Sequence, residues 1–255
     1  MISNISHKLL YISLVLLVAG TLGGWAIIEK LNGYRNDYGF LYAGAAVTVT
    51  IFCVQCGMYF YMRERIFLGL ILLMTLGLSL AWFMSALFIP LLWVDIVGWE
   101  AKLVLLLVLF ALIWGNVAEA FRVFGQKWEE LKETERARIL ARKGNFLNWD
   151  GLISLMKFSP DLHIPGLSKK ISTFLSVAMV FSMIAGFGLR NIYPVASVFA
   201  VGIPSALVIS LFAQQIGFNM AQARKVRELE CEYKVVFFQR PHVDRLRKKV
   251  RKKIG

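Results

Sequence analysis

Six apolar runs, each about as long as a bilayer is thick, constrain this chain more than any other feature. They cover residues 9–28, 38–62, 66–89, 103–118, 171–189 and 192–216. A helix needs about 20 apolar residues to cross a hydrocarbon core of roughly 30 Å. The 103–118 run falls short of that and is expected to extend at one end. The runs are continuous rather than alternating, so they predict helices and not barrel strands. The first follows His7-Lys8 as a signal peptide would, but it is too long and lacks a small-residue cleavage pattern, so it is expected to remain as a span. The expected fold is an all-α polytopic membrane protein with six transmembrane helices. Composition agrees: 58% of residues are hydrophobic and 18% charged, against about 45–50% and about 25% in soluble domains. That excludes a soluble enzyme, a disordered chain and a secreted disulfide scaffold. The three cysteines build no disulfide framework.

Lys and Arg outnumber Asp and Glu by 29 to 16, and their placement sets the expected orientation. With six spans, 25 basic residues fall on one side: before the first span, at 63–65, in 122–170 and in the tail from 217. Only 4 fall on the other side. Basic segments stay cytoplasmic, so both termini are expected there. Trp25, Tyr34, Tyr38, Trp93, Trp99 and Tyr193 gather at the expected outer ends, as an interfacial aromatic belt would. The expected organisation is 4+2. Residues 1–121 form a four-helix transmembrane region and 122–170 a cytoplasmic helical arm with an interfacial segment. Residues 171–216 form a two-helix hairpin and 217–255 a basic cytoplasmic tail.

Within the arm, Phe121, Phe124, Trp128 and Leu131 recur at helical spacing, so the fourth span is expected to run on out of the membrane. Residues 149–158 read as a short interfacial helix, and Pro160 and Pro165 mark the return to the bilayer. In the tail, Val226, Leu229, Tyr233 and Val236 make an apolar stripe on an expected helix over 220–236. Glu230 and Lys234 stand four apart on it, and residues 235–238 have a β-like composition. A basic amphipathic helix is expected over 242–254. Eight of the last sixteen residues are basic: Arg240, Arg245, Arg247, Lys248, Lys249, Arg251, Lys252 and Lys253. Each such residue gains about 1 kcal/mol near an anionic leaflet. The expected partner of the tail is therefore anionic lipid at the cytoplasmic face, with an acidic protein surface or nucleic acid as alternatives.

Residues that could carry chemistry are few. Cys53-Val54-Gln55-Cys56 has the form of a redox pair, but it lies inside the second span, away from the cation or helix N-terminus that a reactive thiolate needs. It reads as packing. His7, His163 and His242 all lie outside the spans, which excludes a bis-histidine membrane haem, and no spacing suggests a metal site. Asp95 and Glu100 sit five apart in the third link, where a solvated loop accounts for them. Intramembrane ionisable groups mark proton and ion paths. Five of the six spans contain none, and Glu119 lies at the end of the fourth beside Asn116. No catalytic residue, cofactor or metal is expected.

Small residues suggest close helix packing instead: Gly20 and Gly24, then Ala43 and Gly44, then Ala196 and Ala200 with Gly202. Pro194 and Pro204 suggest a kink in the sixth span, with neighbouring helices satisfying the freed carbonyls. Together these features point to a non-enzymatic membrane subunit that anchors cytoplasmic helical arms within a larger assembly. A bacterial inner-membrane machine for transport, secretion or DNA transfer would suit it, and protein partners or a homo-oligomer are expected. The alternatives are an oligomeric channel or uniporter using polar groups of spans two and six, and a lipid-modifying enzyme using Asp95 and Glu100.

Overall fold

The computed structural model describes residues 7–31, 38–62, 65–93, 97–131, 145–156, 158, 164, 169–189 and 191–239. They form seven helices and one pair of very short strands. The helices are α1 (His7–Leu31), α2 (Gly39–Met62), α3 (Ile66–Trp93), α4 (Trp99–Glu130), α5 (Trp149–Met156), α6 (Lys169–Leu189) and α7 (Pro194–Tyr233). The strands are β1 (Phe146–Leu147) and β2 (Phe238–Gln239). Five helices (α1, α2, α3, α4 and α7) are long and apolar enough to cross a membrane. In α6 the apolar stretch is shorter, Val177–Leu189.

The polarity of the bundle is inverted relative to a soluble protein. On α1 the inward stripe is Leu10, Ser13, Leu17, Gly20, Thr21, Gly24 and Ile28. Tyr11, Val15, Val18 and Leu22 point outward and are exposed. On α6, Phe174, Val177, Phe181 and Ile184 do the same, as do Val104, Leu107 and Trp114 on α4. Large apolar side chains face outward while small and polar ones meet inside. In water this would expose far more apolar surface than a soluble monomer tolerates. In lipid it lets helix backbones approach and lets polar groups find one another.

In space the helices pack as two triads joined along one seam. α3 packs against α1 and α2, α7 packs against α4 and α6, and α3 and α7 share the largest interface. Gly202 of α7 sits against Leu91 of α3, and Gly217 of α7 against the backbone of Val117 on α4. Thus the order in sequence is four then two, whereas α4 finds its main neighbour in α7.

Two expectations about helix ends are corrected. α3 does not stop at Pro90 but continues through it to Trp93. Pro lacks the N–H that would bond the Ala86 carbonyl, and a glycine approaches there: a Cβ on Gly24 would lie 3.1 Å from that oxygen. Pro194 makes no kink. It sits at the first turn of α7, where a missing N–H costs nothing. Pro204 is the interior proline, and its effect matches the expectation for a membrane helix. The Ala200 carbonyl it frees accepts a hydrogen bond from the Ser182 hydroxyl of α6, at 2.9 Å.

Candidate interaction module at one end of the bundle

Helix ends at residues 31, 93, 189 and 194 lie at one end of the bundle, and those at 62, 66, 130 and 233 at the other. At the latter end α4 and α7 run past the apolar bundle and carry a small packed module. α7 has 40 residues, which is about 60 Å of helix, twice the roughly 30 Å of a hydrocarbon core.

The module assembles from local signals upward. Asn148 precedes α5 and its Oδ1 accepts the Gly151 N–H at 3.1 Å, the geometry of an N-cap. At the other end of α5, Lys127 of α4 donates its Nζ to the Met156 carbonyl at 2.6 Å, supplying a cation where helix carbonyls are unpaired. Trp149 is fully buried, and its indole N–H donates to Gln222 of α7 at 3.1 Å. Around it pack Ile66 and Leu70 of α3, Leu147, and Val226 and Leu229 of α7. A second cluster joins Phe124 of α4, Leu152 of α5 and Phe218 of α7. Lys225 lies over the Trp128 ring at 5.3 Å, and the Arg227 guanidinium over Phe67 at 4.7 Å.

The end of α7 is locked. Lys234 adopts the left-handed conformation, φ 52°, and its N–H bonds the Glu230 carbonyl, which also accepts from Val235 at 3.2 Å. The Glu230 side chain is buried and accepts the Phe237 N–H at 3.1 Å, with Arg227 at 3.5 Å. The chain then turns back so that Phe238 pairs with Phe146 in parallel and bridges Arg65 from the other side. Phe238 N–H donates to the Asn145 carbonyl at 2.9 Å, and Ile66 N–H to the Phe237 carbonyl at 3.2 Å. Glu230 and Lys234, expected as a helical pair, serve instead as lock and cap. On the exposed side of α7, Lys225 at 2.9 Å and Arg224 at 3.2 Å hold the Glu228 carboxyl below the usual carboxylate range.

The structure places the residues singled out from sequence as follows. Arg240, Arg245, Arg247, Lys248, Lys249, Arg251, Lys252 and Lys253 lie outside the described residues, as do Asp95, His163 and His242. Four of the six packing residues stand in helix contacts. A Cβ on Gly20 would lie 3.0 Å from the Phe83 backbone, one on Gly24 2.7 Å from the Phe40 ring, and one on Gly44 2.6 Å from Thr21. The Ala200 methyl would lie 3.0 Å from a Cβ on Gly186. Ala43 and Ala196 face outward. Cys53 faces outward and Cys56 is half-buried, both as free thiols. Between them Gln55 is fully buried. Its Oε1 accepts from Ser13 at 2.7 Å, and its Nε2 donates to the Thr75 carbonyl and to Ser79, each at 2.9 Å. This ties α1, α2 and α3 together. A second clasp joins Thr21, Thr48 and Trp82. Glu119 pairs with Arg122 at 2.6 Å and Glu100 is exposed in the first turn of α4. Among the described residues no group of three His, Cys, Asp or Glu is arranged to hold a metal.

The Trp149–Gln222 bond and the Glu230 lock were not foreseen. The first joins residues 73 apart, and the second depends on a left-handed Lys, so neither leaves a periodic trace. No protein family, curated protein or solved structure matches this chain.

Proposed function

We propose that this chain is a non-enzymatic integral membrane subunit, with α6 as a sixth span and both termini in the cytoplasm. Its bundle holds the module and the basic tail where the components of a larger assembly dock. The observation that carries the reading is the continuity of α4 and α7 from the apolar bundle into the module. A peripheral domain on a flexible linker would move independently of the membrane. Here the docking surface and the membrane helices share two unbroken helices, as suits a subunit that positions a partner. The 25-to-4 split of basic residues supports a cytoplasmic position for this end, and a bacterial inner membrane is the setting we propose. An assembly for transport, secretion or DNA transfer agrees with an anchored, basic, cytoplasmic surface. The basic tail follows Gln239 and adds attraction to anionic lipid headgroups.

The experiment is purification in mild detergent after photo-crosslinking from the exposed module residues Phe146 and Leu155, with a probe at Phe110 on α4 as control. A stoichiometric protein partner crosslinked from the module and absent from the control supports the reading. A homo-oligomer that lets ions across liposomes, with no module partner, replaces it by the channel reading. In that case Gln55 would have to leave its three hydrogen bonds to line a path.

A further inference from the structure

At the end of the bundle opposite the module, a laterally open cleft lies between α1, α3, α6 and α7. Its walls are apolar: Ile27 and Leu31 of α1, Leu87 of α3, Phe187 of α6, and Val198 and Val201 of α7. Pro90 and Pro194 complete them, and neither presents a backbone N–H. Such a slot suits hydrocarbon.

The polar features of the cleft share one sign of preference. Lys30 alone among its lining residues is charged. Its Nζ donates to Asn191 Oδ1 at 3.3 Å in an exposed, long bond that a stronger acceptor could replace. The first turn of α7 opens at Pro194, where the helix dipole favours an anion. Ser197 also lines the cleft. It is more than nine-tenths buried. Outside the cleft, Tyr38, Trp93, Trp99 and Tyr193 are exposed at this same end, the level at which aromatic side chains meet lipid headgroups. Phe187, half exposed at 52%, leaves the slot open to the side, toward the lipid phase.

We propose that this cleft is a binding site for an anionic phospholipid. One acyl chain lies in the apolar slot, and the phosphate replaces Asn191 at Lys30 beside the start of α7. The inference is independent of the docking module and of which face of the membrane this end meets.

The test uses the full chain in mild detergent, with phosphatidylglycerol and phosphatidylcholine compared by native mass spectrometry. The expected result is one retained phosphatidylglycerol per chain, held more tightly than phosphatidylcholine. Lys30→Gln should weaken phosphatidylglycerol about fivefold, the effect of about one basic residue at an anionic surface, and leave phosphatidylcholine unchanged. Asn191→Asp, which adds a competing carboxylate beside Lys30, should act in the same direction and covers the case in which Lys30→Gln fails to fold. A phosphatidylglycerol carrying a photoreactive acyl chain should label Leu87, Phe187 or Val201. Equal retention of both lipids in wild type, insensitivity to both variants, or labelling confined to the outward faces of α4 and α2 would each overturn the proposal.

Discussion

A proline and a serine on neighbouring helices show how single residues act in this fold. Pro204 leaves the Ala200 carbonyl without its helical donor, and Ser182 fills the vacancy at 2.9 Å. Ser182→Ala should therefore cost about 0.6 kcal/mol, the average for a side-chain hydrogen bond between membrane helices, and no more than about 1.7 kcal/mol. On a Pro204→Ala background, where the helix regains its own N–H, the same change should cost much less. Thermal unfolding of the four proteins in detergent checks this, and additive effects would refute the coupling. Glycines give a second contrast. A Cβ at Gly44 meets Thr21 at 2.6 Å, whereas one at Gly57 meets nothing within 4 Å. Gly44→Ala should destabilise by about 1–3 kcal/mol through overpacking. Gly57→Ala should be neutral or stabilising by up to about 1 kcal/mol, since Ala is the better helix former. Unfolding midpoints of the two variants decide it. The small-residue faces were legible in the sequence as composition. Which neighbour each would meet was not, because Ala43 and Gly44 are adjacent in sequence yet point to opposite environments, and only the packed bundle tells them apart.

At the scale of the element, α7 is where sequence and structure diverge most. Hydropathy ends near residue 216, and a separate helix was expected from 220. The backbone continues unbroken to Tyr233 because the edge of a bilayer changes the solvent without removing a helical hydrogen bond. The first apolar stripe residues, Val226 and Leu229, are buried as their spacing suggested, while Tyr233 and Val236 remain partly exposed, at 36% and 38%. The two-residue strands escape any periodicity argument, being too short to have a period. The left-handed cap at Lys234 yields a direct expectation. Lys234→Gly should stabilise the end of α7 by about 1 kcal/mol by removing the Cβ strain, and Glu230→Ala should loosen it. Hydrogen exchange at Phe237 and Phe238 should slow in the first variant and quicken in the second; the reverse order would sink the lock. Acid acts on the same helix through Glu228. Its carboxyl is held below the usual range by Lys225 and Arg224, so its contribution is present above the ordinary Glu value of about 4.3. That contribution is lost as pH falls through the depressed folded value. The pair is exposed, so the effect is small and screened by salt. Glu228→Gln should remove that acid-dependent loss of protection in α7 at low salt, and an unchanged pH profile would contradict the assignment.

For the whole molecule, the membrane class and the main helices were legible because a low-dielectric solvent demands long apolar helices and tolerates few alternatives. The pairing of α4 with α7 was not legible, since every span offers lipid and neighbour similar apolar surfaces. The topology we propose predicts that a reporter active only in the cytoplasm works when fused after Gly255. One active only outside the cytoplasm should work when inserted at Asn32, and the opposite result at either point removes the six-span arrangement. The Ser182–Ala200 bond also bears on biogenesis. A nascent α7 that entered lipid alone would carry an unpaired carbonyl into hydrocarbon until another donor reached it. α6 precedes it by only a few residues and brings that donor. On the six-span arrangement we propose, the two helices would leave the insertion machinery together as a hairpin, and a chain interrupted between them would strand α7 at the translocation channel with its polar wound open.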